Sequence, residues 1–219
     1  MEANTVTYND YRVGTLFEIK PTKTCKLSGN AGKTPVLSNT SYNNGIKYYA
    51  EENPTEEGHI ITFSDTTDSA LTVFYQKEPF IGYSHVQGMR PTGEYKDRWT
   101  EKSLLYFIGA FRAVIGKEYN YGNKFNRTIA ANTYVPLPCN KEGKLDFTYM
   151  EEYIQRIEQE LILELETDHI RNKEGYLSVT GIEDYTLSEQ DKEKVQKLLQ
   201  KTDITKTQLL RLVAEIHKE

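Results

Sequence analysis

A helical repeat of apolar residues, beginning near residue 146, constrains this fold more than any other feature of the sequence. Apolar side chains recur there at steps of three and four, at Phe147, Met150, Ile154, Ile157, Leu161 and Leu165. This spacing places them on one face of an α-helix, and Asp146 is a suitable N-terminal cap. The pattern predicts a helix of about 24 residues, roughly 36 Å long at the helical rise. Because so long a stripe exceeds what a small core needs, we expect part of it to bind a partner.

The residues before this helix predict a β-rich domain. Short β-branched or apolar segments separated by turns are typical of strands, and we expect strands at 34–37, 46–50, 60–63, 70–75, 81–86 and 133–137. Residues 104–115 have helical spacing and predict a helix packed on the sheet. The predicted fold class is therefore α+β. A mixed, β-rich domain over residues 1–145 precedes a helical region over 146–219, which contains the long helix and a short C-terminal helical segment.

Four polar segments are predicted to be loops or turns. Residues 20–34 are rich in Lys, Thr, Ser and Gly, and residues 64–69 form the tip of a predicted hairpin. Asn43-Asn44-Gly45 is a turn signal, because Asn and Gly tolerate a positive φ. Residues 119–126 combine Tyr, Asn and Gly. The 16 tyrosines of the chain fit either packing within a polar β-rich domain or a surface that stacks against a polar partner.

Charge is distributed unevenly along the chain, whose net charge is −5. Residues 1–145 contain 17 Lys and Arg against 15 Asp and Glu, a net of +2. Residues 146–219 contain 10 against 17, a net of −7. Because contacts with nucleic acid depend on the local field, the acidic total does not exclude DNA binding by the first part.

Residues that carry catalysis or bind metals are not grouped in the sequence. The four histidines and two cysteines are scattered without ligand spacing, and no phosphate-binding loop, serine-hydrolase or zinc-protease motif occurs. Asp65 and Asp68 flank the hairpin tip, but no Glu-x-Lys follows on a matching strand. We therefore predict a chain with no catalytic residue and no metal site.

The cysteine content and the apolar segments bear on the compartment. Cys25 and Cys139 are far apart in sequence, which indicates a reducing environment. Residues 1–10 lack the apolar centre of a signal peptide, and no stretch approaches the length of a membrane span. We expect a cytoplasmic protein without a membrane partner.

Short motifs precede the helix in a defined order. They are Tyr11-Arg12-Val13-Gly14-Thr15-Leu16-Phe17-Glu18, Asn44-Gly45-Ile46, Gly58-His59-Ile60-Ile61-Thr62, Phe74-Tyr75-Gln76 with Pro79-Phe80, Tyr121-Gly122, Val135-Pro136-Leu137-Pro138, and the helix start Phe147-x-x-Met150-Glu151-x-Tyr153-Ile154. Over about residues 9–165, this series resembles a target recognition domain of the specificity subunits of type I, type IIB or type IIG restriction–modification enzymes. The tip at residues 64–69 departs from the glycine-containing tip common in that family, and we expect it to help set the DNA target.

The resemblance implies a chain that recognises a DNA half-site and positions a methyltransferase on it. Base recognition uses Asn, Gln, Arg, Lys, Ser and Thr on loops that enter a groove, and orientation uses Lys and backbone amides on phosphates. The predicted DNA-binding residues are Lys20, Thr22, Lys23, Lys26, Lys33, Tyr42, Asn43, Asn44, Ser64, Asp65, Thr66, Thr67, Tyr121, Asn123 and Lys124.

The resemblance also implies partners. They are double-stranded DNA, a DNA methyltransferase subunit, a restriction or translocase subunit, and a second copy of this chain bound through residues 147–165. The predicted dimerisation or partner residues are Met150, Ile154, Ile157, Leu161 and Leu165. No cofactor is expected on this chain, since S-adenosylmethionine would lie on the methyltransferase. Specificity subunits contain two recognition domains and two antiparallel helices, so this chain is either a half-subunit that dimerises or the N-terminal half of a larger protein.

Two other functions remain open from the sequence. One is a mimic of a specificity subunit, or an assembly factor, that binds the methyltransferase without reading DNA. The acidic C-terminal part fits this alternative. The other is a small hydrolase or nuclease with an unrecognised site. The DNA sequence read, and the choice between type I and type IIB or IIG, do not follow from the sequence.

Overall fold

The computed structural model describes residues 6–66, 69–118 and 125–180. The chain divides into two compact units, Met1–Leu161 and Ile162–Glu219. The described part of the first unit mixes sheets with helices, which confirms the predicted α+β class. The predicted division between residues 145 and 146 stays a prediction.

The described elements follow one another in a mixed order. They are β1 (Thr7–Arg12), α1 (Val13–Leu16), β2 (Phe17–Pro21), β3 (Ala31–Leu37), β4 (Ile46–Ala50), β5 (Ile60–Ser64), β6 (Phe74–Gln76), β7 (Val86–Pro91), α2 (Glu101–Glu118), α3 (Arg127–Asn132), β8 (Tyr134–Cys139) and α4 (Phe147–Thr180). Short 3-10 segments lie at Asn43–Gly45, Ser69–Thr72 and Gly93–Arg98.

Within the described residues, the strands form three antiparallel sheets. The largest has four strands in the order β2-β7-β5-β6, while β1 pairs with β8 and β3 pairs with β4. β5 has neighbours on both sides, and all five of its residues, Ile60–Ser64, are buried. Its β-branched and aromatic side chains suit a strand that is covered on both faces.

The main core lies between the four-stranded sheet and α2. Phe17 from β2 packs on Phe107 from α2, with ring centroids 4.6 Å apart, and Trp99 lies 4.9 Å from Phe17. Phe107 also stacks on Phe111 one turn later, at 5.5 Å. These separations are those of favourable aromatic pairs. The apolar residues at 104–115 therefore lie on a helix packed against the sheet, as the sequence predicts.

The last strand of the domain contains two prolines. Pro136 lies opposite Asp10, and Pro138 lies opposite Tyr8 in the pairing of β8 with β1. β8 has no second described neighbour, and an edge strand tolerates proline because one side needs no donors. The strand predicted at residues 133–137 therefore extends further than expected, since β8 continues through Pro138 to Cys139.

The strand predicted at residues 81–86 is wrong. β7 begins only at Val86 and ends at Pro91, and Ile81 forms just an isolated bridge with Val36. Gly82, in the segment before β7, instead lies very close to Thr22, the residue that follows β2. A Cβ atom at Gly82 would lie 2.4 Å from the Cβ of Thr22, so only glycine fits there.

Two further local predictions need correction. The strand predicted at residues 70–75 is shorter, because Ser69–Thr72 form a 3-10 turn before β6 at Phe74–Gln76. A short helix, α3 at Arg127–Asn132, follows the predicted 119–126 loop, where the sequence pattern predicts no helix. The side chain of Asn126 caps it by accepting a hydrogen bond from Ile129 N at 3.0 Å.

The long helix begins where the sequence predicts. Asp146 Oδ1 accepts a hydrogen bond from Tyr149 N at 3.0 Å, which confirms Asp146 as the cap. α4 then spans Phe147–Thr180, 34 residues, so the predicted length was too short. It continues through Gly175, because one glycine inside a helix costs only about 1 kcal/mol. The helices predicted within residues 182–217 lie outside the described residues.

Cys25 and Cys139 are both free thiols. In the part of the chain that the structure describes, no helix combines the length and apolar character that crossing a membrane requires.

Candidate functional site

Residues 22–30 connect β2 to β3 and form what we call the Lys-rich loop. Thr22, at the base of this loop, is buried. Its hydroxyl oxygen accepts a hydrogen bond from Tyr83 N at 2.9 Å and lies 2.9 Å from the Tyr83 carbonyl oxygen and 3.0 Å from that of Val86. A hydroxyl enclosed in this way cannot reach a base or a phosphate. The structure therefore contradicts the predicted DNA contact of Thr22 and gives it a structural role.

The next residue, Lys23, is held by its backbone while its side chain is exposed. Its N–H donates to Glu56 Oε1 at 2.6 Å, and its carbonyl oxygen accepts from Thr55 Oγ1 at 2.6 Å and Gly82 N at 3.0 Å. The other carboxylate oxygen of Glu56 forms an ion pair with Arg90. Because Glu56 is buried, this pair anchors the start of the loop firmly.

The tip of the same loop is tied to the segment that follows β4. Asn30 Nδ2 donates to Glu51 Oε1 at 2.8 Å, and Ser28 N donates to the carboxylate of Glu52. The hydrogen bonds from Ser28 lower the pKa of the Glu52 carboxyl below its usual value. The loop is therefore attached at both its base and its tip.

A cleft of about 570 Å³ lies between this loop, the end of β3, the start of β4 and the residues before β7. Its floor is apolar and includes Val36, Leu37 and Ile81, all buried. Backbone hydrogen bonds hold the floor together, since Leu37 N donates to Ile81 O at 3.0 Å. Sequence-distant segments thus form one continuous concave surface.

Three tyrosines and one lysine also line this cleft. Tyr42 is the most exposed of them, at 79%, whereas Tyr48 and Tyr83 are about half as exposed, at 40% and 38%. Lys47 supplies the one charge, and none of the described residues that line the cleft carries a carboxylate. The combination of aromatic faces, an apolar floor and a cation suits a planar, partly apolar and anionic ligand.

Tyr42 directly precedes a rigid turn. Asn43, Asn44 and Gly45 all have positive φ, at 50°, 53° and 78°, as predicted for this turn signal. Asn43 Nδ2 donates to Ile46 O at 3.1 Å. The side-chain amides of both asparagines therefore stabilise the turn, since Asn44 Nδ2 likewise donates to a backbone carbonyl, that of Tyr75, at 2.9 Å. Asn43 also lines the cleft, whereas Asn44 is not among its lining residues.

The predicted hairpin tip is partly structural and partly exposed. Ser64 is buried, and Asp65 Oδ2 accepts a hydrogen bond from Gln87 Nε2 at 2.8 Å. Thr66 is exposed, and its hydroxyl accepts a hydrogen bond from Asn39 Nδ2 at 3.2 Å. Because Asn39 lines the cleft, Thr66 lies beside it. Burial of Ser64 contradicts the prediction that its side chain contacts DNA.

The remaining predicted DNA-binding residues are not collected in the cleft. Lys20 lies on β2 and forms an ion pair with Glu18, in which Nζ is 2.6 Å from Oε1. Both side chains are at least half exposed. Lys26 and Lys33 are exposed on the loop and on β3. Thr67, Tyr121, Asn123 and Lys124 lie outside the described residues.

Several cleft residues were missed by the sequence prediction. They are Asn39, Lys47, Tyr48 and Tyr83. Lys47 and Tyr48 belong to the strand predicted at residues 46–50, and a strand pattern alone does not show that its residues line a cleft. The abundance of tyrosine was the one signal that pointed to such a surface, but it did not identify which tyrosines share it.

A second cleft, of about 480 Å³, has a different charge pattern. It is lined by Arg90 and Lys96, but also by the carboxylates of Glu18, Glu57 and Asp97. Three carboxylates disfavour a phosphate through like-charge repulsion. Among the residues that the structure describes, no three His, Cys, Asp or Glu side chains are grouped so as to hold a metal ion.

The predicted partner residues on α4 fall into two groups. Met150 is fully buried in the core of its own unit, so it is not available to a partner, contrary to the prediction. Ile154 and Ile157 line a shallow cleft of about 390 Å³ against α2. Leu161 and Leu165 are exposed. An apolar strip therefore remains open to solvent beyond Met150.

Comparison with known proteins identifies the family to which this chain belongs. The model of the type I restriction modification DNA specificity domain matches residues 5–167. The specificity subunit S.BcgI of the type II restriction enzyme BgcI from Heyndrickxia coagulans is 23% identical over 159 residues, 72% of this chain and 45% of that protein.

Solved structures support the fold. The type I restriction–modification S subunit from M. genitalium has a TM-score of 0.52 at 14% identity, covering 79% of this chain and 43% of that one. A structure concerned with complex assembly and conformational transition of the type I system has a TM-score of 0.50 at 15% identity, with 76% and 42% covered. The chain thus spans less than half the length of these proteins.

Proposed function

Because the chain belongs to the family of type I restriction modification DNA specificity domains, we propose that its first unit recognises a short sequence in double-stranded DNA. The observation that carries this proposal is the cleft that joins the Lys-rich loop to the turn after Tyr42 and to the hairpin tip at Thr66. Three segments predicted separately as DNA-contacting loops border one concavity.

The chemistry of this face fits DNA. Lys47 lines the cleft, and Lys23 and Lys26 are exposed on the loop that borders it. These lysines provide cations for phosphates, which position a protein on the duplex. Asn39 and Thr66 carry amide and hydroxyl groups of the kind that read base edges. Because Lys23 is bound through its backbone to Glu56, the loop needs little reordering when DNA arrives, and less conformational entropy is lost on binding.

The chain itself carries out no reaction in this proposal. Methyl transfer would take place on a DNA methyltransferase subunit, which would hold S-adenosylmethionine, and this chain would position that subunit at the recognised sequence. A restriction or translocase subunit would join the same assembly. The support is the family membership, together with the relative from H. coagulans, whose printed name is that of a specificity subunit.

The exposed apolar side chains of α4 are proposed to bind a second copy of this chain. Ile157 is 41% exposed and Leu161 is 54% exposed, and exposing large aliphatic side chains at helical spacing costs free energy unless another surface covers them. Two copies related by a twofold axis would present two identical recognition units, which fits an interrupted palindromic site.

A selection experiment tests DNA recognition directly. The 219-residue chain is incubated with a random duplex library, and bound sequences are enriched and then measured by fluorescence anisotropy against scrambled duplexes. We expect one interrupted sequence to bind at least about tenfold more tightly than its scrambled form. The logarithm of the binding constant should fall linearly with the logarithm of the salt concentration. Equal affinity for all duplexes, with retention of methyltransferase binding, would support the assembly-factor alternative instead.

A further inference from the structure

The volume and concave shape of the tyrosine-lined cleft indicate what kind of group can bind in it. Its volume, about 570 Å³, lies in the range of small-ligand sites, roughly 300–1,000 Å³. The grooves of a duplex are also concave, and proteins normally read them with projecting loops or helices. If DNA fills this concave surface, the group that enters it must therefore project from the duplex.

The walls of the cleft fit one such group. The apolar floor at Val36, Leu37 and Ile81 suits the faces of a flat ring, and Ser38 and Asn39 provide polar atoms at the side for a ring edge. Lys47 supplies a cation, and the described lining residues include no carboxylate. An apolar face, a polar edge and a neighbouring negative charge together describe a nucleotide.

Tyr42 is held in place before any ligand arrives. Tyr42 N donates to Thr40 Oγ1 at 3.2 Å, and Gly45 N donates to Tyr42 O at 2.9 Å. A Cβ at Gly45 would lie 3.4 Å from the ring of Phe74, so the turn packs closely on β6. A large ring that is 79% exposed on a fixed backbone is available for stacking, because the turn that carries it needs no reordering when a ligand binds.

We propose that this cleft accepts one nucleobase rotated out of the duplex, with Tyr42 at its rim as the stacking partner. This proposal rests on the proposed function, since the base belongs to the DNA that the unit recognises. Enzymes that act on bases extrude them into pockets whose aromatic and apolar walls hold the ring. Here the pocket would serve recognition, because extrusion is easiest at weakly stacked or weakly paired positions.

A fluorescence scan tests the proposal. 2-Aminopurine is placed in turn at each position of the duplex selected for the wild-type chain, and its emission is measured with and without protein. We expect a change at one position of each half-site and at no other. A mismatch at that position should tighten binding, by about tenfold, because the pairing to be broken is already weak. Both effects are specific to a base that leaves the stack.

Substitution of Tyr42 identifies the stacking residue. Tyr42→Ala should weaken binding of the selected duplex roughly 5- to 150-fold, as expected for the loss of one base–aromatic stack, and should abolish the position-specific emission change. Tyr49→Ala is the matched control, because Tyr49 is an exposed tyrosine on β4 that does not line the cleft. Circular dichroism of both variants should match the wild type.

A thiol in the cleft gives a second readout. Cys25 lines the cleft and is partly exposed, whereas Cys139 is buried. The selected duplex should slow alkylation of Cys25, and the same duplex with an abasic site at the identified position should leave Cys25 reactive while it remains bound. This comparison separates a base inside the cleft from DNA that merely covers it.

The outcomes are distinguishable. Selective duplex binding with constant 2-aminopurine emission at every position overturns the extruded base and leaves the proposed function intact. Protection of Cys25 by the methyltransferase subunit without DNA, with constant emission, also overturns it and assigns the cleft to a protein side chain. Absence of any selective duplex binding overturns both proposals.

Discussion

Gln76 donates a hydrogen bond from Nε2 to the backbone carbonyl oxygen of Asn44 at 3.0 Å, and so joins β6 to the turn that displays Tyr42. The same nitrogen donates to Thr62 Oγ1 on β5 at 3.0 Å. Gln76 is buried, where a hydrogen bond is costly to lose. The turn at the cleft is therefore anchored directly to the main sheet.

Gln76→Leu is predicted to destabilise the fold and to loosen this turn. Leucine has a similar volume but cannot bond Asn44 O or Thr62 Oγ1, and we expect a loss of about 1–3 kcal/mol in the free energy of unfolding. Urea unfolding measures this loss. Gln155→Leu, at an exposed position of α4, is the control and should change stability little. An unaltered urea midpoint for Gln76→Leu would refute the anchoring role.

Removal of the Glu56 carboxylate should release the Lys-rich loop. Glu56→Ala leaves Arg90 and Lys23 N without their partner, and breaking a buried ion pair costs about 3–5 kcal/mol. Because Arg90 is partly exposed, we expect the lower end of this range. Hydrogen exchange at the Lys23 amide should become faster. Glu57→Ala, at the exposed neighbouring position, should leave both measurements as in the wild type.

Lys47→Ala should weaken DNA binding without changing which sequence is preferred. A lysine on a phosphate contributes equally to all duplexes, so affinity should fall for selected and scrambled DNA alike, and the salt slope should decrease by about 0.9. Anisotropy at several salt concentrations measures both. Lys144→Ala, at an exposed turn away from the cleft lining, serves as control. A loss confined to the selected sequence would assign Lys47 to base recognition.

Ile157→Asp is predicted to convert a dimer into a monomer. A carboxylate at a position that is 41% exposed in one copy is tolerated in the monomer but is desolvated when a second apolar helix covers it. Light scattering gives the mass. Gln159→Asp adds the same charge at an exposed polar position and should leave the mass unchanged. A wild-type mass for Ile157→Asp would exclude this face as the dimer contact.

The stability of the first unit should decrease at alkaline pH through Tyr106. Burial, then a hydrogen bond and charge interaction with Tyr8, raise the pKa of Tyr106 above its ordinary value of 10.0. The unfolded state therefore releases this proton first. The contribution of Tyr106 is fully present below about pH 10 and is lost as the pH rises toward the higher folded-state pKa.

Urea midpoints at about pH 8 and about pH 11 test this dependence. Tyr106→Phe retains the ring contact with Tyr153 but has no ionisable hydroxyl, so its midpoint should fall less than that of the wild type. Tyr49→Phe, at an exposed position, should behave like the wild type. Equal losses for Tyr106→Phe and wild type would show that this hydroxyl does not control alkaline stability.

Local features could be predicted because nearby residues determine them. Asp146 caps α4 through a residue three positions later, and the Asn43-Asn44-Gly45 turn depends on the positive φ that these residue types tolerate. The apolar spacing at 104–115 follows from the helical period alone. Each of these needs no information about distant parts of the chain.

The erroneous predictions share a cause in long-range contacts. Residues 81–86 have a strand-like composition, yet Gly82 approaches Thr22 closely and lies in the lining of the cleft with Ile81 and Tyr83. Tertiary packing overrides local preference in such segments. Met150 shows the same effect, since its place in the helical stripe did not reveal that its own core would bury it.

By itself, the sequence determined the α+β class, the capped helix, the left-handed turn and the order of motifs that matches the specificity-domain family. Only the tertiary structure decided which side chains face one another. It placed Tyr42, Tyr48 and Tyr83 around one cleft, and it enclosed Thr22 and Ser64. The physical reason is that caps, turns and periodicity are properties of neighbouring residues, whereas burial and concavity arise from packing between segments far apart in the chain.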